Sequence, residues 1–274
     1  MNLKDRIEMA GKTHVGCVRD HNEDAISIDA SLGLAILADG MGGHRGGEVA
    51  SAITVSTIYD TLSTKLKSIK KGATDEASGY SLKSTAIHDA IKLANTNVFE
   101  SSHENAQYRG MGTTVVVLLF YDNRFTVAHV GDSRLYRIRN GVLENITRDH
   151  SLMQELIDRG FYTTEQARKS LKKNLVTRAI GIEETVQIDV QEDVVQINDI
   201  YLLCSDGLND MIEDELILEI IKQNSDDLEK AVTALIAEAN RHGGKDNISV
   251  ILARPLKSFS AKNSLFSRFF DLFS

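Results

Sequence analysis

Apolar and polar positions change period several times along the chain. Residues 25–29 and 34–38 read as short strands, the second (LAILA) an unbroken apolar run of the kind buried on both faces. From Glu48 the spacing lengthens, and Val49, Ile53, Ile58 and Leu62 recur at helical intervals. Leu82, Ala86, Ile87, Ala90, Ile91, Ala94 and Val98 predict a clearer amphipathic helix. Strand patterns return at 114–121 and 124–130 around Asp122-Asn123, then at 134–139 and 142–146 around Asn140-Gly141. Asn-Gly suits a two-residue hairpin because both turn positions need positive φ, so the stretch predicts an antiparallel meander. Residues 152–159 read as a helix and the Lys/Arg-rich stretch to Arg178 as irregular. Late strands at 201–205 and 248–253 enclose a third amphipathic helix carrying Leu228, Ala231, Val232, Leu235, Ile236 and Ala239. Strands in runs and helices in runs give the α+β class.

With 274 residues, 42% apolar and 26% charged, the chain is long enough for a sizeable core and has too much apolar content for a disordered one. Its single proline, Pro255, and the lack of a Gly/Ser-rich stretch before it favour one domain. A net charge of −8 argues against a nucleic-acid binder, whose phosphate contacts need clustered Lys and Arg. Two cysteines, Cys17 and Cys204, are too few for a disulfide framework, and their apolar surroundings predict inert burial. The charged N-terminus has no apolar signal core, and no run approaches the length of a membrane span. A cytoplasmic monomer is the expectation.

The chemistry lies in where the acids fall. Asp39-Gly40 follows LAILA, Asp206-Gly207 follows YLLCS, and Asp132 follows RFTVAHVG. Asp246-Asn247 precedes ISVILA, and Asp24, after Glu23, opens AISID. Singly, each could be an ordinary turn signal. Together they place five acids at the ends of apolar strands, where a shared sheet edge would gather them. Such a cluster repels itself unless cations neutralise it, and hard oxygen ligands suit Mg²⁺ or Mn²⁺. A glycine after Asp39 permits close backbone approach, which makes the Gly40 carbonyl a candidate ligand. The segment DGMGGHRGGEVAS matches no nucleotide-binding glycine fingerprint. A cysteine-nucleophile loop is excluded, because the C-x5-R spacing would need Arg where Glu23 and Asp210 stand.

Eight ordered motifs carry a resemblance. They are RDHNEDA (19–25), ADGMGGHRGGEVAS (38–51), GMGTTVV (110–116), VGDSRLYRIRNG (130–141), TRDHS (147–151), LVTRAIG (175–181), LLCSDGL (202–208) and GGKDNISV (243–250). The chain resembles the bacterial branch of the PP2C-type (PPM) metal-dependent serine/threonine protein phosphatases over roughly residues 10 to 253. The resemblance implies a β-sandwich of two antiparallel sheets flanked by helices. It also implies hydrolysis of phosphoserine and phosphothreonine by a water activated between two Mn²⁺ or Mg²⁺ ions. Asp39 matches the bridging ligand, with the Gly40 carbonyl on the first ion, and Asp206 and Asp246 match the other core ligands. Glu23 and Asp24 match the acidic pair that holds metal-bound waters, Asp132 the ligand of a third, weaker metal, and Arg19 the phosphate-gripping arginine. A guanidinium fork suits phosphate because it donates two parallel hydrogen bonds.

Met41 departs from the pattern. Well-studied eukaryotic members carry a histidine there that protonates the leaving group; His44 is a weak substitute and the acid stays unassigned. Lys169, Lys172 and Lys173 fall in a region resembling the family's variable flap. The implied partners are phosphorylated proteins and a bacterial Hanks-type Ser/Thr kinase. A binding-only pseudophosphatase is the competing class, and it is disfavoured because Asp39, Asp206 and Asp246 are all kept. Another alternative is a narrow regulator acting on one phosphoprotein. The phosphatase domain is expected over 1–254 and an amphipathic tail over 255–274. In that tail Leu265, Phe266, Phe269, Phe270, Leu272 and Phe273 fall largely on one side of a helix. Self-docking and peripheral membrane or partner contact through 257–274 are both open.

Overall fold

The computed structural model describes residues 2–42, 46–163, 166 and 175–260. Two antiparallel sheets face each other. One runs β1 (Ile7–His14), β11 (Ile248–Pro255), β10 (Ile200–Cys204), β7 (Arg134–Arg139), β8 (Val142–Asn145). The other runs β2 (Asp24–Asp29), β3 (Leu34–Met41), β5 (Val115–Tyr121), β6 (Arg124–Val130), β9 (Asp189–Val194), with β4 (Gly112–Thr113) paired to the end of β3.

Each sheet is apolar on both faces because each has two layers to pack against. Between the sheets lie Ala35, Leu37, Val116, Leu118, Phe120, Phe125, Leu135, Tyr201, Leu203 and Ile251. Alternate residues of the second sheet, among them Ile36, Ala38, Val117 and Leu119, pack under α1 (Gly46–Lys65) and α2 (Leu82–Glu104). On the other outer face Tyr136, Leu202, Cys204 and Val250 meet α5 (Asp214–Gln223) and α6 (Leu228–Arg241). Two short helices, α3 (Leu152–Asp158) and α4 (Asp206–Asn209), are set between strands. The α+β class and the two-sheet sandwich expected from the sequence are therefore present.

The predicted meander is not continuous. β5 and β6 form a hairpin in one sheet and β7 and β8 a hairpin in the other. The chain changes sheets at Gly131–Ser133, where Gly131 has φ 104° and sits too close to Thr114 for any side chain. Both hairpins turn where expected, with positive φ at Asp122 and Asn123 and at Asn140 and Gly141. The apolar pattern does not mark β1 and β9, where apolar positions are few or interrupted by charge: β9 reads DVQEDV and β1 IEMAGKTH. α5 is a further element absent from the sequence reading, although DELILEIIKQ is amphipathic. Cys204 is buried as expected, but Cys17 is exposed, its thiol facing Asn240 on a loop rather than the core.

Candidate active site

The five acids meet where the two sheets present their ends to one another, not along one sheet's edge. Asp24 and Asp39 pair directly across β2 and β3, and Asp132 follows β6 in the same sheet. Asp206 and Asp246 come from the opposing sheet, at the end of β10 and just before β11. Antiparallel neighbours bring these ends together although the residues are up to 222 positions apart in sequence.

Local structure fixes each one. Asp39 is held by its own backbone: its N–H donates to Thr114 Oγ1 (3.1 Å), and its carbonyl accepts from Thr114 N (2.8 Å) and Thr113 Oγ1 (2.8 Å). Gly40 donates to the Glu23 carbonyl, and a Cβ there would come within 2.2 Å of Gly47 O and 2.5 Å of Glu23 O. The glycine is thus demanded by packing between two backbone segments, as the close-approach argument anticipated. Asp206 opens α4, and Gly207 lets that turn lie against the Asn247 carbonyl.

Asp24 is 9% exposed. Its Oδ2 accepts from Ser205 (3.0 Å) and Ser249 (2.6 Å), while its Oδ1 is buried with no hydrogen-bond partner. A buried carboxylate oxygen without a donor is costly. Burial, followed by repulsion from Asp24, Asp206, Asp132 and Asp246, drives the Asp39 carboxyl well above its ordinary range. Burial, followed by Asp132 and Asp210, does the same to Asp206. Burial, opposed by the two serine hydroxyls, pushes Asp24 up to about 6; burial and Asp149 push Asp132 up to about 6. Glu23 is raised chiefly by burial.

Arg19 lies at the rim, its side chain 54% exposed, and donates to Asp246 Oδ2 at 2.7 Å. The two elements of the site are tied together by Asn247. Its Oδ1 accepts from Glu23 N, and its amide donates to the carbonyls of Val15 and His21, so it holds the loop that carries Arg19 against β11. Asn247, Ser205, Ser249, Thr113 and Thr114 all stand inside the quoted motifs, but no charge or spacing marks their roles. Asp210 is a further acid beside Asp206 and Asp132. Its signal was available: it lies one helical turn after Asp206. Met41 ends β3 opposite Gly112. His44, Lys169, Lys172, Lys173 and the tail beyond 260 lie outside the described residues.

A separate cluster lies behind Asp132. His129, His150 and Asp189 hold ligand atoms within 4.8 Å of one another, the only such group of His, Cys and acid side chains among the described residues. The imidazoles stack at 4.6 Å and 17°, so their in-plane lone pairs run side by side instead of converging. Arg178 already brings a cation there, 3.1 Å from Asp189 Oδ1. His150 clasps Gly131 twice, through its backbone N–H to Gly131 O (2.9 Å) and through Nδ1 accepting from Gly131 N (3.1 Å).

The carboxylate cluster offers only oxygen and leaves Asp24 Oδ1 unsatisfied. Those properties fit hard divalent ions. Fold and site together define a hydrolase type in which a two-sheet sandwich holds a cation-binding carboxylate cage between the sheet ends. Comparison with known proteins agrees. Residues 11–253 match the family model described as protein phosphatase 2C. A serine/threonine phosphatase, stp, of Listeria monocytogenes is 36% identical over 244 residues, covering 88% of this chain and 93% of that one. The crystal structure of the Mycobacterium tuberculosis serine/threonine phosphatase PstP/Ppp superposes with a TM-score of 0.81 at 34% identity, covering 92% and 100% of the two chains. The PstP catalytic domain in complex with two manganese ions superposes at 0.80, with 33% identity and coverage of 92% and 99%. The chain belongs to the protein phosphatase 2C family and is a serine/threonine phosphatase.

Proposed function

We propose that this phosphatase works through two Mn²⁺ or Mg²⁺ ions held by Asp39, the Gly40 carbonyl, Asp206 and Asp246. Glu23 and Asp24 would hold water bound to these ions, and Asp132 would hold a third, weaker ion. The observation that carries this assignment is the convergence of buried and half-buried, mutually repelling carboxylates, with Asp24 Oδ1 left without a donor. Bound cations supply charge neutralisation and a water acidic enough to attack phosphorus near neutral pH.

The chain's own residues do the rest. Thr113 and Thr114 lock the Asp39 backbone, so its carboxylate keeps its place as the ligands fill. Ser205 and Ser249 orient Asp24 by holding one oxygen and leaving the other directed elsewhere. Arg19, exposed and on a loop fastened by Asn247, presents its fork to the substrate phosphate. The substrates are phosphoserine and phosphothreonine proteins, and the reading extends to an opposing bacterial Ser/Thr kinase in the cytoplasm. Among the described residues no helix is long and apolar enough to cross a membrane.

Phosphopeptide turnover should need added Mn²⁺ or Mg²⁺ and stop in excess EDTA. Calorimetry should show more than one Mn²⁺ per chain, with Asp39→Asn and Asp246→Asn each losing affinity. Undiminished turnover in EDTA, or unaltered Mn²⁺ binding by Asp39→Asn, would remove these residues from the metal site.

A further inference from the structure

The site opens to solvent along the end of β3. Leu34–Ala38 are buried, whereas Asp39, Gly40 and Met41 are half-buried. Successive strand residues alternate faces, so Met41 shares the face that carries the Asp39 carboxylate. Met41 stands opposite Gly112, and residues directly opposite one another in an antiparallel pair point the same way. Gly112 has no side chain to place there. A Cβ on it would come within 2.7 Å of Ile182 Cδ1 and 3.0 Å of Ile182 Cγ1, so Ile182 fills the space that the glycine leaves on that face.

Ile182 is nevertheless 47% exposed, between buried Gly181 and exposed Glu183. Its loop is tightly held. Asn95 of α2, 2% exposed, commits its whole amide to it: Oδ1 accepts from Gly181 N (2.8 Å), and Nδ2 donates to the carbonyls of Glu183 and Glu184 (both 3.1 Å). Just before the loop, Thr113 and buried Ile180 exchange backbone hydrogen bonds of 3.1 and 2.8 Å. A single exposed isoleucine is ordinary. One clamped on the same face as Asp39, level with Met41, is placed to touch whatever enters the site.

Two residues along β3 and one strand spacing put this ledge about 10 Å from Asp39, or about three residues of extended peptide. Charges near it have both signs: Arg109 precedes Gly110-Met111, and Glu183 and Glu184 follow Ile182, all exposed. Apolarity, not charge, is what distinguishes the ledge. We infer that Met41 and Ile182 form an apolar subsite that selects phosphoprotein segments carrying an apolar side chain about three residues from the phosphorylated one. The inference rests on the phosphoryl group lying at the Asp39 cluster.

The test compares phosphothreonine peptides, polar elsewhere, with leucine or serine two, three or four residues to either side, in the presence of Mn²⁺. At one or more of these positions leucine should raise kcat/KM about fivefold over serine, as expected from half-burying one such side chain. Ile182→Ser should remove that preference, and Ile182→Leu should keep it. Hydrolysis of p-nitrophenyl phosphate, which has no peptide to lay on the ledge, is the reference: in Ile182→Ser, kcat/KM for the leucine peptide should fall relative to it. Equal turnover of leucine and serine peptides at every position, or a preference that survives Ile182→Ser, would overturn the inference. So would a loss in that variant shared equally by both peptides and p-nitrophenyl phosphate, which would make Ile182 a support for β4. None of these outcomes bears on the metal assignment, whose failure shows instead as p-nitrophenyl phosphate hydrolysis that persists in EDTA.

Discussion

On one side of Gly131 lie Asp24, Asp39, Asp132 and Asp206, carboxylates whose surroundings push their proton affinity up. On the other side His129 and His150 stack, both driven toward the neutral form chiefly by burial, His150 down to about 4. Both clusters are polar and largely withdrawn from solvent, yet they manage charge in opposite ways. The histidines, whose charged form burial disfavours, hydrogen-bond to the Arg148 carbonyl and Gly131 N–H and sit beside an Arg178–Asp189 pair that balances itself. The carboxylates include one oxygen with no donor at all. Internal satisfaction marks a structural cluster; unmet charge marks one built to receive an ion.

The largest test of that contrast sets activity against stability. Asp39→Asn should cut phosphopeptide turnover by at least about a thousandfold. The same change should raise the melting temperature of the metal-free protein, since it removes charge from a self-repelling group. His150→Ala should instead destabilise the protein by about 1–3 kcal/mol and lower its melting temperature, because Gly131 N–H loses its acceptor. A metal-free Asp39→Asn protein less stable than wild type would break the distinction.

The two clusters should also respond to pH with opposite sign. Asp132 binds its proton more tightly folded (about 6) than unfolded (about 3.9). Its stabilisation is complete below about pH 4 and is lost as pH rises through about 6. His150 binds its proton more weakly folded, so its contribution is complete above about pH 6.5 and is lost as pH falls toward about 4. Without metal, Asp132→Asn should therefore gain on wild type by up to about 3 kcal/mol between pH 4 and 7. Urea denaturation across that range measures it, and saturating Mn²⁺ should erase the gain. A gain toward low pH would reverse the assignment.

Arg19 gives the smallest effect. Its ion pair with Asp246 is half exposed and is worth under about 1 kcal/mol to the fold. Arg19→Ala should leave the melting temperature nearly unchanged and raise KM for phosphopeptide about 10–100-fold, more than it lowers kcat. A loss of Mn²⁺ affinity at unchanged KM would make Arg19 a support for Asp246 rather than a phosphate ligand.

Much of this protein was legible from sequence because periodicity and turn chemistry are local. LAILA, RFTVAHV and YLLCS read as buried strands, and Asn140-Gly141 read as the turn it is. The acids at strand ends pointed to hard divalent cations, and the ordered motifs carried the resemblance to the family and its hydrolytic reaction. β9 escaped because a strand with Asp189, Glu192 and Asp193 carries too little apolar alternation to be seen. Which strands neighbour one another is a long-range choice, and so the meander expectation failed where Gly131 sends β7 into the opposing sheet.

The same holds inside the site. Sequence alone marked the acids and the glycine at 40, since side-chain chemistry and the need for close backbone approach are properties of the residues themselves, and the family resemblance marked the arginine at 19. Only tertiary structure decided that Asn247 ties the Arg19 loop to β11, that Ser205 and Ser249 satisfy one oxygen of Asp24 and not the other, and that Asp210 joins the cluster. Hydrogen-bond satisfaction depends on which groups meet, and these meet across as many as 232 residues of chain, through the packing of two sheets that no local pattern encodes.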